Sequence, residues 1–171
     1  MSIQIREERD EDFPAVARVL ELAFGGRVEA MLVEVLRAER AIVLALLAEL
    51  EGDVVGHIVF SPVAILDPRF RGSAVGLAPL AVTPARQRSG IGSMLVREGL
   101  RRCGIAGHRA AVVFGHPEYY PRFGFLSAER FGLTCEFPAP PGVFQVLELE
   151  PGALDGVQGH VTYQPAFRRV G

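Results

Sequence analysis

Apolar and polar residues change their period along the chain, and the changes mark the elements. Ile3 and Ile5 alternate with polar neighbours, the two-residue period of a strand that ends near Glu7. Beyond it the period lengthens. Phe13, Val16, Leu20 and Phe24 recur at helical spacing behind an acidic first turn, with Asp10 or Asp12 as the expected cap. Gly25-Gly26 interrupts that helix, and Val28, Met31, Leu32, Val35 and Leu36 predict a second. Residues 41–50 are apolar without helical caps, turn at Glu51-Gly52-Asp53 and continue as 54–60, which predicts an antiparallel hairpin. A polar loop from Asp67-Pro68 to Ser73 leads into residues 75–83, short, apolar and broken by Pro79, as a strand buried on both faces would be.

A helix follows. Ile91, Leu95 and Gly99, flanked by Val96, Leu100 and Cys103, make one apolar stripe, while Ser93, Arg97, Glu98, Arg101 and Arg102 face away from it. Residues 110–114 predict a short buried strand, parallel to 75–83 because a helix lies between them. His116-Pro117 would start a short helix that Pro121 stops, and Phe123-Gly124-Phe125 would turn into a further strand. The loop at 138–142 separates this from strands expected at 143–149 and 158–163, before a frayed Arg168-Arg169 end. The pattern predicts an α/β (α+β) chain: a mixed central sheet of about six to seven or more strands with helices on both faces.

Length and composition change this picture little. At 171 residues the chain reads most simply as one domain, residues 1–171. Its 49% hydrophobic content supplies a full core. A formal net charge of −2 argues against a broad nucleic-acid surface. The charged start has no signal-peptide core, and the apolar run at 41–48 is too short to span a bilayer, so the expectation is a cytoplasmic protein. Cys103 and Cys135 have no metal-ligand spacing and read as free thiols, so no metal is expected.

The chemistry concentrates between the strand at 75–83 and the helix after it. Gln87-Arg88-Ser89-Gly90-Ile91-Gly92 carries two glycines that let a ligand approach the main chain. The helix begins there, with unpaired amides and the positive end of its dipole turned outward, which suits a phosphate or pyrophosphate. Arg86 and Arg88 add positive charge. The same Gly-Ile-Gly could equally be a tight strand-to-helix turn. A Walker loop is excluded because the chain has no lysine, and a dinucleotide fingerprint because Leu95 stands where the third Gly or Ala would be.

Val82-Thr83-Pro84 followed by Gln87-x-x-Gly90-x-Gly92 resembles the Q/R-x-x-G-x-G/A acyl-CoA motif of the GNAT superfamily of N-acetyltransferases. About thirty residues on, Tyr120-Pro121-Arg122-Phe123-Gly124-Phe125 is similar to the Y-x-x-x-G-F segment of the same family. The resemblance covers roughly residues 3–133, with 134–171 as a C-terminal strand extension. It implies parallel strands splayed apart at 75–83 and 110–115, with the pantetheine arm of acetyl-CoA between them. By the same resemblance, main-chain groups of Leu80, Ala81 and Val82 would hold that arm, and Arg86, Gln87, Arg88, Ser89, Gly90, Ile91, Gly92 and Ser93 would take the pyrophosphate.

The implied reaction is direct attack of a primary amine on acetyl-CoA, with Tyr120 as the general acid for the departing sulfur. Tyr119 is adjacent but off the motif spacing. The base is open. His57 reads as a surface residue more readily than a cleft residue, His116 as a base or a cap, and Glu49 as a carboxylate reached through water. Gly115-His116 departs from the Asn common in the family. No nucleophile has a partner base, which argues against an acyl-enzyme. The acceptor would enter over residues 24–28 toward Ser61 and Pro62, and its identity is not legible. The rival is a non-catalytic acyl-CoA-binding module of the same fold. Apolar alternation in the C-terminal strands raises a homodimer as an expectation.

Overall fold

The structure is a computed structural model that describes residues 2–170. The chain divides into two compact units: Met1–Ser61 with Ala78–Gly99 and Pro165–Gly171, and Pro62–Leu77 with Leu100–Gln164. Three elements run through both: β3 (Asp53–Leu66), β4 (Ala74–Val82) and α3 (Ile91–Ile105).

In the first unit, β1 (Ile3–Glu7), β2 (Leu44–Leu50), β3 and β4 lie in that order, with antiparallel pairing from β1 to β2 and from β2 to β3. One face is covered by α1 (Phe13–Phe24), α2 (Val28–Ala38) and the short α4 (Ala166–Arg169). Val16, Val19 and Leu20 of α1 and Ala30, Val33 and Leu36 of α2 bury there with Leu47 and Val59. The stripe expected on α2 is therefore turned by about one residue, leaving Val28 and Met31 45% and 46% exposed. Met31, Leu32 and Val33 are consecutive apolar residues, so periodicity alone admits either face, and packing against α1 decides. Phe24 is also exposed, because Gly25 in the left-handed region (φ 74°) ends α1 there.

On the opposite face α3 lies close against β3 through two glycines. A Cβ on Gly56 would stand 2.9 Å from Leu95 Cδ1, and one on Gly99 would stand 2.3 Å from Phe60 Cε2. This contact fixes the start of α3 relative to the end of β4. Asp12 does not cap α1 with its side chain. Its carboxylate instead accepts from the Arg6 guanidinium at 2.8 Å and from the Arg9 amide at 2.7 Å, which holds its pKa down at about 2, chiefly through Arg6. The chain end is a helix rather than a frayed tail: Ala166 is buried and Arg169 pairs with Glu39.

In the second unit, β4 pairs in parallel with β5 (Ala110–Phe114) from Ala74↔Ala110 to Gly76↔Val112, where the register ends. β8 (Phe144–Glu148) runs antiparallel along the whole of β5 and also carries β6 (Leu126–Ser127). β9 (Gly159–Thr162) pairs with β3 and with β7 (Leu133–Cys135), a strand the hydrophobic pattern does not signal. β8 and β9 each have neighbours on both edges, so the C-terminal alternation serves internal pairing. The helix expected at His116-Pro117 begins later, as a 3₁₀ turn over Tyr120–Phe123 ended by Gly124 at φ 99°. Among the described residues no helix is long and apolar enough to cross a membrane.

Candidate active site

The loop after β4 is built largely from its own side chains. The Thr83 amide donates to Val55 O at 2.9 Å, anchoring the end of β4 to β3, and residues Pro84–Arg86 make one 3₁₀ turn. Gln87 Nε2 donates to Val82 O at 3.0 Å, and Ser89 Oγ donates to Arg86 O. Gln87 therefore ties the loop back to the strand, a positioning role that the motif alone does not disclose. Arg88 (φ 61°) and Gly90 (φ 87°) both take the left-handed region. A Cβ on Gly90 would meet no protein atom within 4 Å, so within the protein itself it is the positive φ that favours glycine there.

These two reversals turn the chain into α3. The Met94 amide donates to Gly90 O at 3.0 Å. Arg86, Gln87, Arg88, Ser89 and Gly90 are exposed, Gly92 and Ser93 half-buried, and Ile91 is buried at 3% exposure. On the strand, Ala81 is buried while Leu80 and Val82 are half-buried. The first unit thus brings together all eleven of the residues expected to bind the cosubstrate on one strand end, one loop and one helix start. The side chain of Ile91 belongs to the core.

Tyr120 lies in the second unit. Its ring is 7% exposed and packs edge-on against Tyr119 at 5.1 Å and Phe125 at 5.7 Å. Burial, with a smaller contribution from Tyr119, pushes the phenol up to about 12. Gly115 forms the floor beneath the ring: a Cβ there would stand 2.1 Å from Tyr120 Cε2. That contact explains the departure at Gly115-His116, since with Tyr120 in this place the position admits no side chain. His116 is exposed, and its carbonyl accepts the Tyr119 amide at 3.0 Å and the Tyr120 amide at 3.4 Å.

Gln145 is a residue that sequence reasoning missed. It is buried on β8, and its Nε2 donates to Gly115 O at 3.3 Å and to His116 O at 3.4 Å. It therefore braces the turn that carries Tyr120. The available signal was a single amide among the apolar residues of Phe144–Glu148.

Two base candidates are committed elsewhere in the first unit. His57 is fully buried, contrary to the surface placement expected for it, because its face of β3 is the one covered by α1 and α2. Its Nε2 lies 2.9 Å from Glu8 Oε1, and Arg37 donates to the same carboxylate while stacking over Phe13 at 3.7 Å. Burial works against the charged form of Glu8, but the bonds from His57 and Arg37 outweigh it and hold the carboxyl below its ordinary value. Glu49 takes two bonds from Arg6, at 3.0 and 2.6 Å. His116, exposed beside Tyr119, stays available. Cys103 is buried, and desolvation pushes its thiol up to about 12, which disqualifies it as a nucleophile. Among the described residues no three His, Cys, Asp or Glu side chains cluster as metal ligands would.

A family model for the GNAT acetyltransferase domain matches residues 4–128. The Escherichia coli K12 N-acetyltransferase YhbS is 39% identical over 166 residues, covering 96% of this chain and 98% of that protein. Its crystal structure in complex with CoA superposes with a TM-score of 0.92 at 38% identity, covering 99% of this chain and 93% of that one. A GNAT family acetyltransferase from Brucella melitensis in complex with acetyl-CoA gives a TM-score of 0.79 at 39% identity, covering 97% and 98%. The chain belongs to the GNAT acetyltransferase family, a family of acyltransferases.

Proposed function

We propose that the protein transfers an acetyl group from acetyl-CoA to a primary amine by direct attack. The observation that carries the reading is the loop that opens α3: two left-handed residues, Arg88 and Gly90, aim a first helical turn and two arginines outward. Such a turn offers converging N–H donors and positive potential to a pyrophosphate. The CoA and acetyl-CoA complexes of the two full-length relatives support acetyl-CoA as the cosubstrate. Main-chain groups of Leu80, Ala81 and Val82 are assigned to the pantetheine arm and the thioester oxygen, and residues 86–93 to the pyrophosphate.

In the reaction the amine lone pair attacks the thioester carbon, the tetrahedral adduct expels the CoA sulfur, and Tyr120 supplies its proton. A phenol raised to about 12 stays protonated at neutral pH. It is a weaker acid than an ordinary thiol near 8.5. Proton transfer is therefore coupled to cleavage of the C–S bond, with the O–H acting first as a hydrogen-bond donor to the developing thiolate. His116 is the assigned acceptor of the amine proton, through water. Free Cys103 and Cys135 are in keeping with a cytoplasmic setting.

Calorimetric titration with acetyl-CoA tests the reading, using wild type and Gly92→Glu. A carboxylate in the first turn of α3 suits the helix dipole, so the variant should fold while repelling a pyrophosphate. Binding by the wild type that is lost in a folded variant supports the assignment; equal binding by both removes the loop from it.

A further inference from the structure

The second unit holds a cavity on the C-terminal strands that the acetyl-transfer chemistry does not use. It is an open hollow of about 140 Å³ walled by Phe137, Phe144, Leu133 and Pro140, with Thr134 and Glu129 also lining it. A space of this order takes a single aromatic ring. Glu129 is the only residue lining it that ordinarily carries a charge at neutral pH, so a cation or neutral group is favoured over an anion.

Its aromatic walls belong to a larger cluster. Phe144 stacks on Phe114 at 4.9 Å, and Phe137 meets Phe114 edge-on at 5.9 Å and Tyr163 at 5.7 Å. Phe114, Phe137 and Phe144 are only half-buried, so ring surface is left for one more ring in the same edge-to-face pattern. The cluster adjoins Tyr120 through two consecutive residues. Gly115 follows Phe114, lies beneath the Tyr120 ring, and donates its amide to Val143 O at 3.0 Å, next to Phe144.

From these observations we infer that the cavity is the acceptor subsite, and that the acceptor is a small primary amine carried on an aromatic group. This rests on the acetyl-transfer reading. The ring would lie among Phe137 and Phe144, the carboxylate of Glu129 would draw in the cation, and the amine-bearing chain would extend from the cavity toward the Tyr120 turn.

The probes are 2-phenylethylamine and ethylamine, which share the reacting group and differ in the ring. The wild type should favour 2-phenylethylamine in kcat/KM by at least about tenfold, measured as thiol release from acetyl-CoA. Ala139→Trp, at an exposed position lining the cavity, should fill it and bring the ratio near one. Equal kcat/KM for the two amines in the wild type, or a preference untouched by Ala139→Trp, overturns the assignment. Saturation-transfer NMR of 2-phenylethylamine on the same proteins reads the cavity without turnover: a ring signal lost in Ala139→Trp supports the subsite, and no signal in the wild type overturns it. Failure of acetyl-CoA itself to bind in calorimetry separately refutes the acetyl-transfer reading.

Discussion

Replacing Gly115 by alanine tests whether the turn before Tyr120 sets the position of its hydroxyl. The added Cβ would stand 2.1 Å from Tyr120 Cε2 and 2.3 Å from Cδ2, where ordinary contact begins at 3.4 Å. The ring must therefore retreat by about 1.3 Å, and it is wedged between Tyr119, Phe123 and Phe125. Overpacking of this kind costs about 1–3 kcal/mol. In a chain of this size that lowers Tm by roughly 2–4 °C per kcal/mol. Misplacing a catalytic group by about 1 Å lowers the rate on the order of a hundredfold. The expected result is a folded variant with Tm down by several degrees, kcat down by about two orders of magnitude, and acetyl-CoA affinity unchanged in calorimetry. Tyr120→Phe is the companion, because it keeps the ring and removes the proton; it should lose kcat to a similar degree with little change in Tm. Gly115→Ala with normal kcat and Tm would show that the contact does not position the ring. Tyr120→Phe with normal kcat would remove the phenol from the mechanism.

Three further outcomes follow from the same geometry. Gln145→Leu should cost about 1–3 kcal/mol in chemical denaturation, since it leaves the Gly115 and His116 carbonyls without their shared donor, and should lower kcat more than it raises KM for acetyl-CoA; an unchanged kcat at reduced stability would assign Gln145 a structural role alone. The phenol of Tyr120 is raised from 10.0 to about 12, so its acid form persists through pH 10, and kcat should show no decline from this group between pH 7 and 10. A limb near pH 10 that disappears in Tyr120→Phe would contradict the burial argument. Asp12 is lowered from 3.8 to about 2, so its contribution to stability is present above pH 3.8 and is lost as pH falls toward 2. Thermal melts from pH 6 to 2.5 should therefore show a drop in this window that is smaller in Asp12→Asn, and equal slopes in the two proteins would refute the assignment.

The sequence by itself determined the order of elements from β1 to β5 and the loop that opens α3. Both are local: a strand, two glycines and a helix stripe are encoded within about twenty-five residues, because period and glycine placement depend on neighbouring backbone. The Tyr120 segment was legible for the same reason, through its spacing to Gly124-Phe125. Where the pattern offered two faces, as at Met31-Leu32-Val33 of α2, only packing against α1 could choose. His57 looked like a surface residue because alternation along β3 says which residues share a face, but not that α1, α2, Glu8 and Arg37 cover that face. Gln145 and Gly115 owe their meaning to pairings across 30 and 5 residues, which no local period records. Gln87 is the sharpest division: its place in the motif could be read from the chain, while its bond back to Val82 O exists only once β4 and the loop have folded together. Local backbone preference thus wrote the loop, and long-range burial decided which side chains support it and which polar groups are already committed.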